Sequence, residues 1–189
     1  MQLDEGLDTG DMLLKKEVEI APDETGGSLH DRLAGLGSGL LLDTLKGVEE
    51  GTISPVSQKE EESTYAGMLT KEMGRINWED TAEKIERYVR GLNSWPSAYT
   101  GFRSKTLKVW KSEVAEENCL PEEDETGDSG KREDAAPGTV VRVEKNSFLV
   151  KTGNGYLRLL EVQLEGKKRM DAGSFLRGVS VEKGEMLCI

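Results

Sequence analysis

The hydrophobic pattern of this chain changes its period at Pro96, and that change restricts the folds available to it. Segment 76–96 carries apolar residues at helical spacing, with Asp80 as the expected N-cap. Beyond Pro96 apolar and polar residues alternate, which is the period of a strand. A helix followed by closely spaced short strands predicts a small barrel or sandwich. The predicted helical stripe consists of Ile85, Tyr88, Val89 and Leu92.

Six short strands are predicted after Pro96, because turn residues interrupt the alternation at regular intervals. The first two strands form a hairpin whose turn lies near Arg103 and Ser104. Three more strands fall within 138–164, where 145–147 and 153–155 supply the turns. A short helix over 171–178 precedes a final strand over 184–189.

The part of the chain before the helix predicts a second, smaller group of elements. Segment 11–22 has the pattern of a strand that Pro22 ends, and 28–51 has the pattern of a helix with a leucine-rich face. Ser28 and Asp31 form an expected capping box at the start of that helix. A polar linker follows, and Tyr65, Met68 and Leu69 have the spacing of a short helical turn.

Charge is distributed unevenly along the chain, whose net charge is −11. Residues 1–74 carry −10, whereas residues 75–189 carry −1. Segment 113–134 holds ten acidic and two basic residues, so the remainder of 75–189 carries +7. Because local potential steers a polyanion more than the total charge does, a nucleic-acid partner is compatible with this acidic chain.

Several classes of protein are disfavoured by composition. The longest apolar run, Leu40 to Leu42, is far shorter than the ~20 residues of a membrane helix, and no secretory signal is visible. Cys119 and Cys188 give neither metal spacing nor a disulfide framework. We therefore expect a cytoplasmic protein with no metal site and no membrane contact.

An acidic motif, Asp8-Thr9-Gly10 followed by Asp11, stands near the start of the chain. Aspartic proteases use two Asp-Thr-Gly motifs whose carboxyls share one proton. This chain has one such motif, preceded by acidic rather than apolar residues, which disfavours a protease. Taken alone, the motif also fits a polar turn ahead of a strand. His30, the single histidine, is assigned a surface or capping role rather than a catalytic partnership with Asp8.

Basic residues are the other candidate functional group in the region after Pro96. A small barrel with one basic face suits contact with the nucleic-acid backbone, although scattered lysines also fit an ordinary solvated surface. Trp95 and Trp110 are predicted to pack in the core or a hinge rather than to stack on bases. The basic residues are Lys105, Lys108, Lys111, Arg142, Lys145, Lys151, Arg158, Lys167, Lys168 and Arg169.

A series of motifs occurs along the whole chain in one fixed order. It comprises GLDTGDML, GSLHDRLAGLGSGLLLDTL, TYAGMLTKEMGRINW, VRGLNSWPSAYT, LKVW, PGTVV, TGNGYLRLLEVQLEGKKRM and FLRG. This order resembles the C-terminal part of the methionyl-tRNA formyltransferase family. The chain departs from the family at Ser94, where proline is usual.

The resemblance implies a fold of the α/β plus β class in two domains. Residues 1–53 would be the end of a Rossmann-type catalytic domain, truncated here, and 54–74 a linker. Residues 75–189 would form an OB-like tRNA-binding barrel with an acidic loop at 113–134. The implied formyl donor is 10-formyltetrahydrofolate, the implied acceptor is initiator methionyl-tRNA, and the protein would be a monomer.

The resemblance also assigns roles to particular residues. The family's catalytic set is an asparagine and a histidine close together in sequence, plus an aspartate that matches Asp8. No Asn-x-His occurs in these 189 residues, so we expect a fragment that is inactive by itself. The expected tRNA contacts are Lys167, Lys168, Arg169, Arg142 and Lys105. A non-catalytic tRNA-binding module and a related amino-sugar formyltransferase are the alternatives.

Overall fold

The structure, a computed structural model, describes residues 1–115 and 135–188. It divides into two compact units. The first comprises Met1–Glu24 and Ser28–Met68, and the second comprises Thr25–Gly27 and Leu69–Ile189. Of the predicted acidic loop 113–134, residues 116–134 lie outside the described part of the chain. The domain boundaries proposed from the sequence stay a prediction.

A long helix, α1 (Gly26–Glu49), confirms the helix predicted over 28–51. It begins two residues before Ser28, so the predicted capping box of Ser28 and Asp31 is wrong. The N–H of Gly27, in the first turn, donates to the carbonyl oxygen of Asn93 at 2.7 Å, which satisfies one of the backbone donors at this helix end. One face of α1 is half-buried, and several apolar side chains elsewhere on it are exposed: Leu33, Leu41, Leu42, Leu45 and Val48.

The strand predicted over 11–22 is not formed. Met12 makes one antiparallel bridge with Val56, through backbone hydrogen bonds of 2.8 and 2.9 Å. No further ladder bond follows along this segment among the described residues, and a strand requires a continuous backbone partner. The helical turn predicted at Tyr65 to Leu69 is also wrong. Tyr65 and Met68 are 90% and 89% exposed, so no apolar contact rewards helix formation there.

The second unit contains α2 (Ala82–Gly91), which confirms the helix predicted before Pro96. Its N-cap is Thr81, whose side chain accepts from the Lys84 N–H, so the expected cap at Asp80 is wrong. Asp80 instead pairs with the Lys84 ammonium at 2.7 Å. The buried face of α2 consists of Ala82, Ile85, Val89 and, just beyond its end, Leu92. Tyr88 is 36% exposed.

A six-stranded antiparallel sheet forms the centre of the second unit. Its order is β1-β2-β5-β4-β3, with β6 paired to β5, and β6 leads into the helix α3 (Ala172–Gly178), capped by Asp171. The hairpin turn at Arg103 and Ser104 has φ values of 48° and 63°, which suit a two-residue turn. The strands are β1 (Ala98–Phe102), β2 (Lys105–Ala115), β3 (Val140–Val143), β4 (Phe148–Lys151), β5 (Tyr156–Leu164) and β6 (Met170–Asp171).

The hairpin and the three strands within 138–164 therefore confirm the sequence analysis, as does α3. The final strand predicted over 184–189 is wrong, because Met186 makes only an isolated bridge to Thr139 in the described residues. The pairing of β2 with β5 shifts its register twice. Val109 faces Val162, Lys111 faces Glu161 and Ser112 faces Leu159. The two shifts cancel, so that each strand carries one extra residue at this point.

The core of the second unit lies between the sheet, α2 and α3. Phe148, Leu157 and Leu159 are fully buried, and Phe148 lies 6.3 Å from Phe175 of α3 between ring centroids. From α2, Ile85 joins the same cluster. The sheet and its two helices are thus held together by one apolar core.

None of the helices in the described residues is long and apolar enough to cross a membrane.

Candidate catalytic loop and basic surface

Asp8 lies in a loop whose backbone is held at several points. The amide of Gln58 donates to the carbonyl oxygens of Asp8 and Gly10, at 2.8 and 2.7 Å. Ser57 donates to the carboxylate of Asp11 at 2.9 Å, and the Gln2 N–H donates to the Asp11 carbonyl oxygen at 2.9 Å. These bonds fix the loop although most of its side chains are exposed.

Gly10 shows why this loop needs a glycine. It is buried, and a Cβ at this position would lie 1.9 Å from the carbonyl oxygen of Gln2. No side chain fits in that space. Asp8 has a φ of 56°, a left-handed conformation that aspartate tolerates better than most residues. The sequence Asp-Thr-Gly therefore meets two separate backbone requirements in this loop.

The carboxylate of Asp8 is exposed and accepts no hydrogen bond from any described residue, His30 included. It lines neither of two surface clefts. The cleft in the first unit has a volume of about 430 Å³ and includes Leu13, Leu45 and Ile53 in its lining. The cleft in the second unit, of about 190 Å³, includes Arg75, Lys84 and Tyr88.

The described residues offer no ligand set for a metal ion. Within 1–115 and 135–188, no group of three or more His, Cys, Asp or Glu side chains could hold an ion.

A second candidate site is the outward face of β2 and β5, centred on Trp110. The Arg169 guanidinium lies 4.7 Å from the centre of the Trp110 ring, and the Lys108 ammonium lies 5.6 Å from it. Both distances are within the range of a cation–π interaction. Trp110 is partly exposed and Trp95 is 55% exposed, so the prediction that they pack in the core is wrong, while the alternative of a hinge role stays a prediction.

Gln163 connects Trp110 to the turn that carries the predicted basic cluster. Its carbonyl oxygen accepts from the indole N–H at 3.1 Å, and its amide donates to the Lys167 carbonyl oxygen at 3.0 Å. Lys105 lies at the same end of the sheet as this turn, because the Glu165 N–H donates to the carbonyl oxygen of its neighbour Thr106 at 2.8 Å. We call the residues at this end of the sheet the Trp110 surface. They are Lys105, Lys108, Trp110, Lys111, Glu161, Gln163, Lys167, Lys168 and Arg169.

Arg142 does not belong to this surface. It lies on β3, opposite Leu149 of β4, which faces Arg158 of β5. Arg158 precedes Gln163 by five residues, roughly 16 Å along a strand. Arg142 and Arg158 both pair with Glu144, at 3.4 and 3.5 Å, and Arg158 also pairs with Glu113 at 2.6 Å. The structure thus separates Arg142 from Lys167, Lys168 and Arg169, and pairs it with the Glu144 carboxylate.

Two family models match the chain. Residues 68–180 match the model described as "Formyl transferase, C-terminal domain", and residues 1–45 match the model described as "Formyl transferase". The first match alone covers more than half of the chain. The chain belongs to the formyltransferase family.

Curated relatives of this formyltransferase-family chain are similar over its whole length. The methionyl-tRNA formyltransferase of Lachnospira eligens is 51% identical over 99% of the chain, and that of Agathobacter rectalis is 47% identical over 100%. The same enzyme from Alkaliphilus metalliredigens is 46% identical over 99%. The chain covers 55–56% of each, so it spans about half the length of the curated relatives it matches.

Solved structures show the same fold at low identity. HypX from Aquifex aeolicus in complex with tetrahydrofolic acid superposes with a TM-score of 0.61 at 20% identity, covering 98% of this chain and 32% of that chain. WlaRD, a sugar 3N-formyl transferase, gives a TM-score of 0.57 at 16% identity, covering 88% of this chain and 53% of that chain. These two likenesses concern architecture alone.

Glu161 of the formyltransferase-family chain is a residue that sequence analysis missed. Both of its carboxylate oxygens accept from Arg169, each at 2.6 Å. The hydrogen bond from Arg169 lowers the pKa of Glu161 and exceeds the opposing effect of burial. The only available signal was the alternation of β5, which places Glu161 and Gln163 on its outward side. Their partners on β2 and β6 could not be read from that pattern.

Acid should remove the contribution of this ion pair to stability. The pKa of Glu161 is lowered by folding, so its contribution is present above the unfolded pKa, about 4.3, and is lost as pH falls through the folded value. We expect Glu161→Gln to lower the free energy of unfolding at pH 7 by at most about 1 kcal/mol, because both partners are partly exposed. Urea unfolding should show this difference shrinking below about pH 4.

Glu79→Gln provides the matched control, since Glu79 is exposed and belongs to the same unit. Its effect on unfolding should be small at every pH. A Glu161→Gln difference that stayed constant down to pH 2 would contradict the assignment of the effect to the Glu161 carboxylate.

Proposed function

We propose that this chain serves methionyl-tRNA formyltransferase activity, in which a formyl group passes from 10-formyltetrahydrofolate to the amino group of initiator methionyl-tRNA. The observation that carries the proposal is the 46–51% identity, over 99–100% of the chain, to three relatives that bear this name. The protein would act in translation initiation, in the cytoplasm and as a monomer.

Asp8 is the proposed catalytic residue of this chain. Formyl transfer creates a tetrahedral oxyanion, which needs hydrogen-bond donors, and an amine that must lose a proton. A carboxylate can orient an imidazole and accept that proton. The loop backbone is fixed by Gln58 while the Asp8 carboxylate is exposed, so it is available to a group that approaches from outside the described residues. The 189 residues offer no Asn-x-His for it to orient, so the chain alone is proposed to be inactive.

The proposed domain organisation follows the same resemblance. Residues 1–53 are assigned to a Rossmann-type catalytic domain, 54–74 to a linker and 75–189 to an OB-like barrel. The extents of the two family matches, 1–45 and 68–180, support this division. The antiparallel sheet with its capping helices supports the assignment of the second part.

A chimera tests the proposed activity. The part of the Lachnospira eligens relative that the alignment does not cover would be fused to this chain, and formyl transfer to methionyl-tRNA measured with 10-formyltetrahydrofolate. We expect turnover by the chimera and none by the 189-residue chain. Turnover with an amino sugar nucleotide but not with methionyl-tRNA would instead identify the related sugar enzyme.

Binding of tRNA is the function proposed for the Trp110 surface, with Arg142 as a separate contact. Lys105, Lys167 and Lys168 are exposed and form no ion pair with any described residue. Such lysines suit phosphate contacts, which give affinity that falls steeply with salt. A binding-only role for the chain is the second candidate, because this surface lies in the second unit and Asp8 in the first.

Replacing Lys167 and Lys168 together by alanine should weaken initiator tRNA binding and reduce its salt dependence. Removing one lysine–phosphate interaction lowers the slope of log K against log salt by roughly 0.7 to 0.9. We therefore expect the slope to fall by about 1.5 in filter-binding measurements across a salt series.

The alanine double variant at Lys15 and Lys16 removes the same charge from an adjacent pair of exposed lysines in the first unit. It should leave the slope nearly unchanged. Equal slopes for the two double variants would argue that total charge, rather than the Trp110 surface, attracts the RNA.

A further inference from the structure

The guanidinium of Arg169 is held from two directions at once. Its Nε–H and one Nη2–H donate to the two oxygens of Glu161, each at 2.6 Å. Its central carbon, Cζ, lies 4.7 Å from the Trp110 ring centre. A flexible side chain is thereby restricted to one position, which reduces the entropic cost of binding a ligand.

This arrangement leaves one edge of the guanidinium open. A guanidinium carries five N–H donors in a planar fork, and Glu161 uses two of them. The remaining three include both hydrogens of Nη1, which donates to no described residue. The Arg169 side chain is 44% exposed, so this end is accessible. One N–H of Nη1 and the second N–H of Nη2 point in the same direction along this edge. Such a pair of parallel donors matches two oxygens of a phosphate.

The surroundings of the open edge favour an anion. Lys167 and Lys168 precede Arg169 directly and are exposed. Glu161 itself faces Lys111 of β2 on one side and Asp171 of β6 on the other. Through Gln163, the indole N–H of Trp110 is connected to the Lys167 carbonyl oxygen. Movement of Trp110 would therefore disturb both Arg169 and the backbone of the lysine turn.

We propose that Arg169 binds one phosphate of the RNA backbone in bidentate fashion through this open edge, and that Trp110 and Glu161 are positioning residues for it. This inference rests on the proposed tRNA partner. Trp110 acts here as a support for two cations and not as a platform for a base. The contribution of Arg169 to RNA affinity comes from the geometry of its planar fork rather than from its charge alone.

Arg169→Lys and Arg169→Gln separate geometry from charge, because lysine keeps the charge but cannot form the fork. In filter binding of an initiator tRNA transcript, we expect both to weaken binding by roughly five- to tenfold and to agree within about twofold. Arg87→Gln removes an equal charge from an exposed position on α2 and should cost less than about twofold. Binding by Arg169→Lys at the wild-type level would overturn the proposal.

Substitution of Trp110 tests the positioning role. Trp110→Phe keeps a ring face and should bind within about twofold of wild type, whereas Trp110→Leu should weaken binding as much as Arg169→Gln. The double variant Trp110→Leu with Arg169→Gln should bind no more weakly than either single variant, since both remove the same interaction. Thermal melting of each variant checks the fold. Additive effects would overturn the positioning role. If Trp110→Leu unfolds, Glu161→Gln takes its place, and it should weaken binding in the wild-type background but not in the Arg169→Gln background.

The wild-type measurement separates the two proposals. If wild-type chain does not bind the transcript at any salt concentration, both the tRNA partner and this inference fail. If wild type binds with a steep salt dependence but Arg169→Lys is unaffected, the proposed function stands and the inference alone is rejected.

Discussion

Asp8→Asn in the chimera is expected to slow formyl transfer by about 10²- to 10⁴-fold, the usual contribution of a group that assists proton transfer. Asparagine has the size of aspartate but cannot accept the amine proton or stabilise an imidazolium. The fold should be preserved, because the loop is held by Gln58 through the carbonyl oxygens of residues 8 and 10. A steady-state assay with saturating methionyl-tRNA would measure the effect on kcat.

Asp4→Asn is the matched control, since Asp4 is an exposed aspartate of the same segment and its carboxylate bonds, within the part of the chain that the structure describes, only to the neighbouring Glu5 N–H. Its turnover should stay within about twofold of the unsubstituted chimera, as expected for a surface site remote from the chemistry. If Asp8→Asn also stays within that range, Asp8 is only a turn residue and the catalytic assignment is wrong.

Phe148→Ala is expected to destabilise the second unit by about 3–5 kcal/mol. The ring is fully buried in the centre of the sheet and lies 6.3 Å from Phe175. Its removal would leave a cavity that the closely packed neighbours cannot fill. Domains of this size are stable by only about 5–15 kcal/mol, so the effect is a large share of the total. Urea unfolding followed by tryptophan fluorescence would measure it, because Trp78 is buried in the same core.

Tyr65→Ala removes a comparable ring that is 90% exposed, and its effect should stay within about 0.5 kcal/mol. A destabilisation below about 1 kcal/mol for Phe148→Ala would contradict the packed core described above.

Sequence was most informative where structure is determined by neighbouring residues. The hairpin of β1 and β2 depends on a two-residue turn, and Arg103 and Ser104 adopt the positive φ values that such a turn demands. The helix α2 depends on a stripe of apolar residues with a polar cap. Even there the cap was misplaced by one residue, because Asp80 and Thr81 are both good N-cap residues and only contacts could decide between them.

Sequence was least informative where structure depends on a distant partner. Segment 11–22 has the alternation of a strand, yet among the described residues only Met12 forms a β-bridge. Segment 184–189 fails in the same way, since its backbone bonds to residues 138–140 do not extend into a ladder. Alternation states which side of a strand is apolar but not which segment will pair with it.

The candidate sites show the same limit. Motif order led to Asp8 and to the basic turn, but the clamp formed by Gln58 joins residues about fifty positions apart in the chain. The Trp110 surface depends on contacts across β2 and β5, and on a turn beyond them. Glutamate and glutamine are frequent on protein surfaces, so no local pattern distinguished Glu161 or Gln163 from ordinary surface residues.

The cancelling register shifts around Lys111 have a consequence for insertions and deletions. A deletion in β2 alone would leave the extra residue of β5 without compensation. Every residue from Ser112 onward would then exchange its inward and outward sides relative to β5. The two strands can therefore change length here only together, and variation in the length of one should accompany variation in the other.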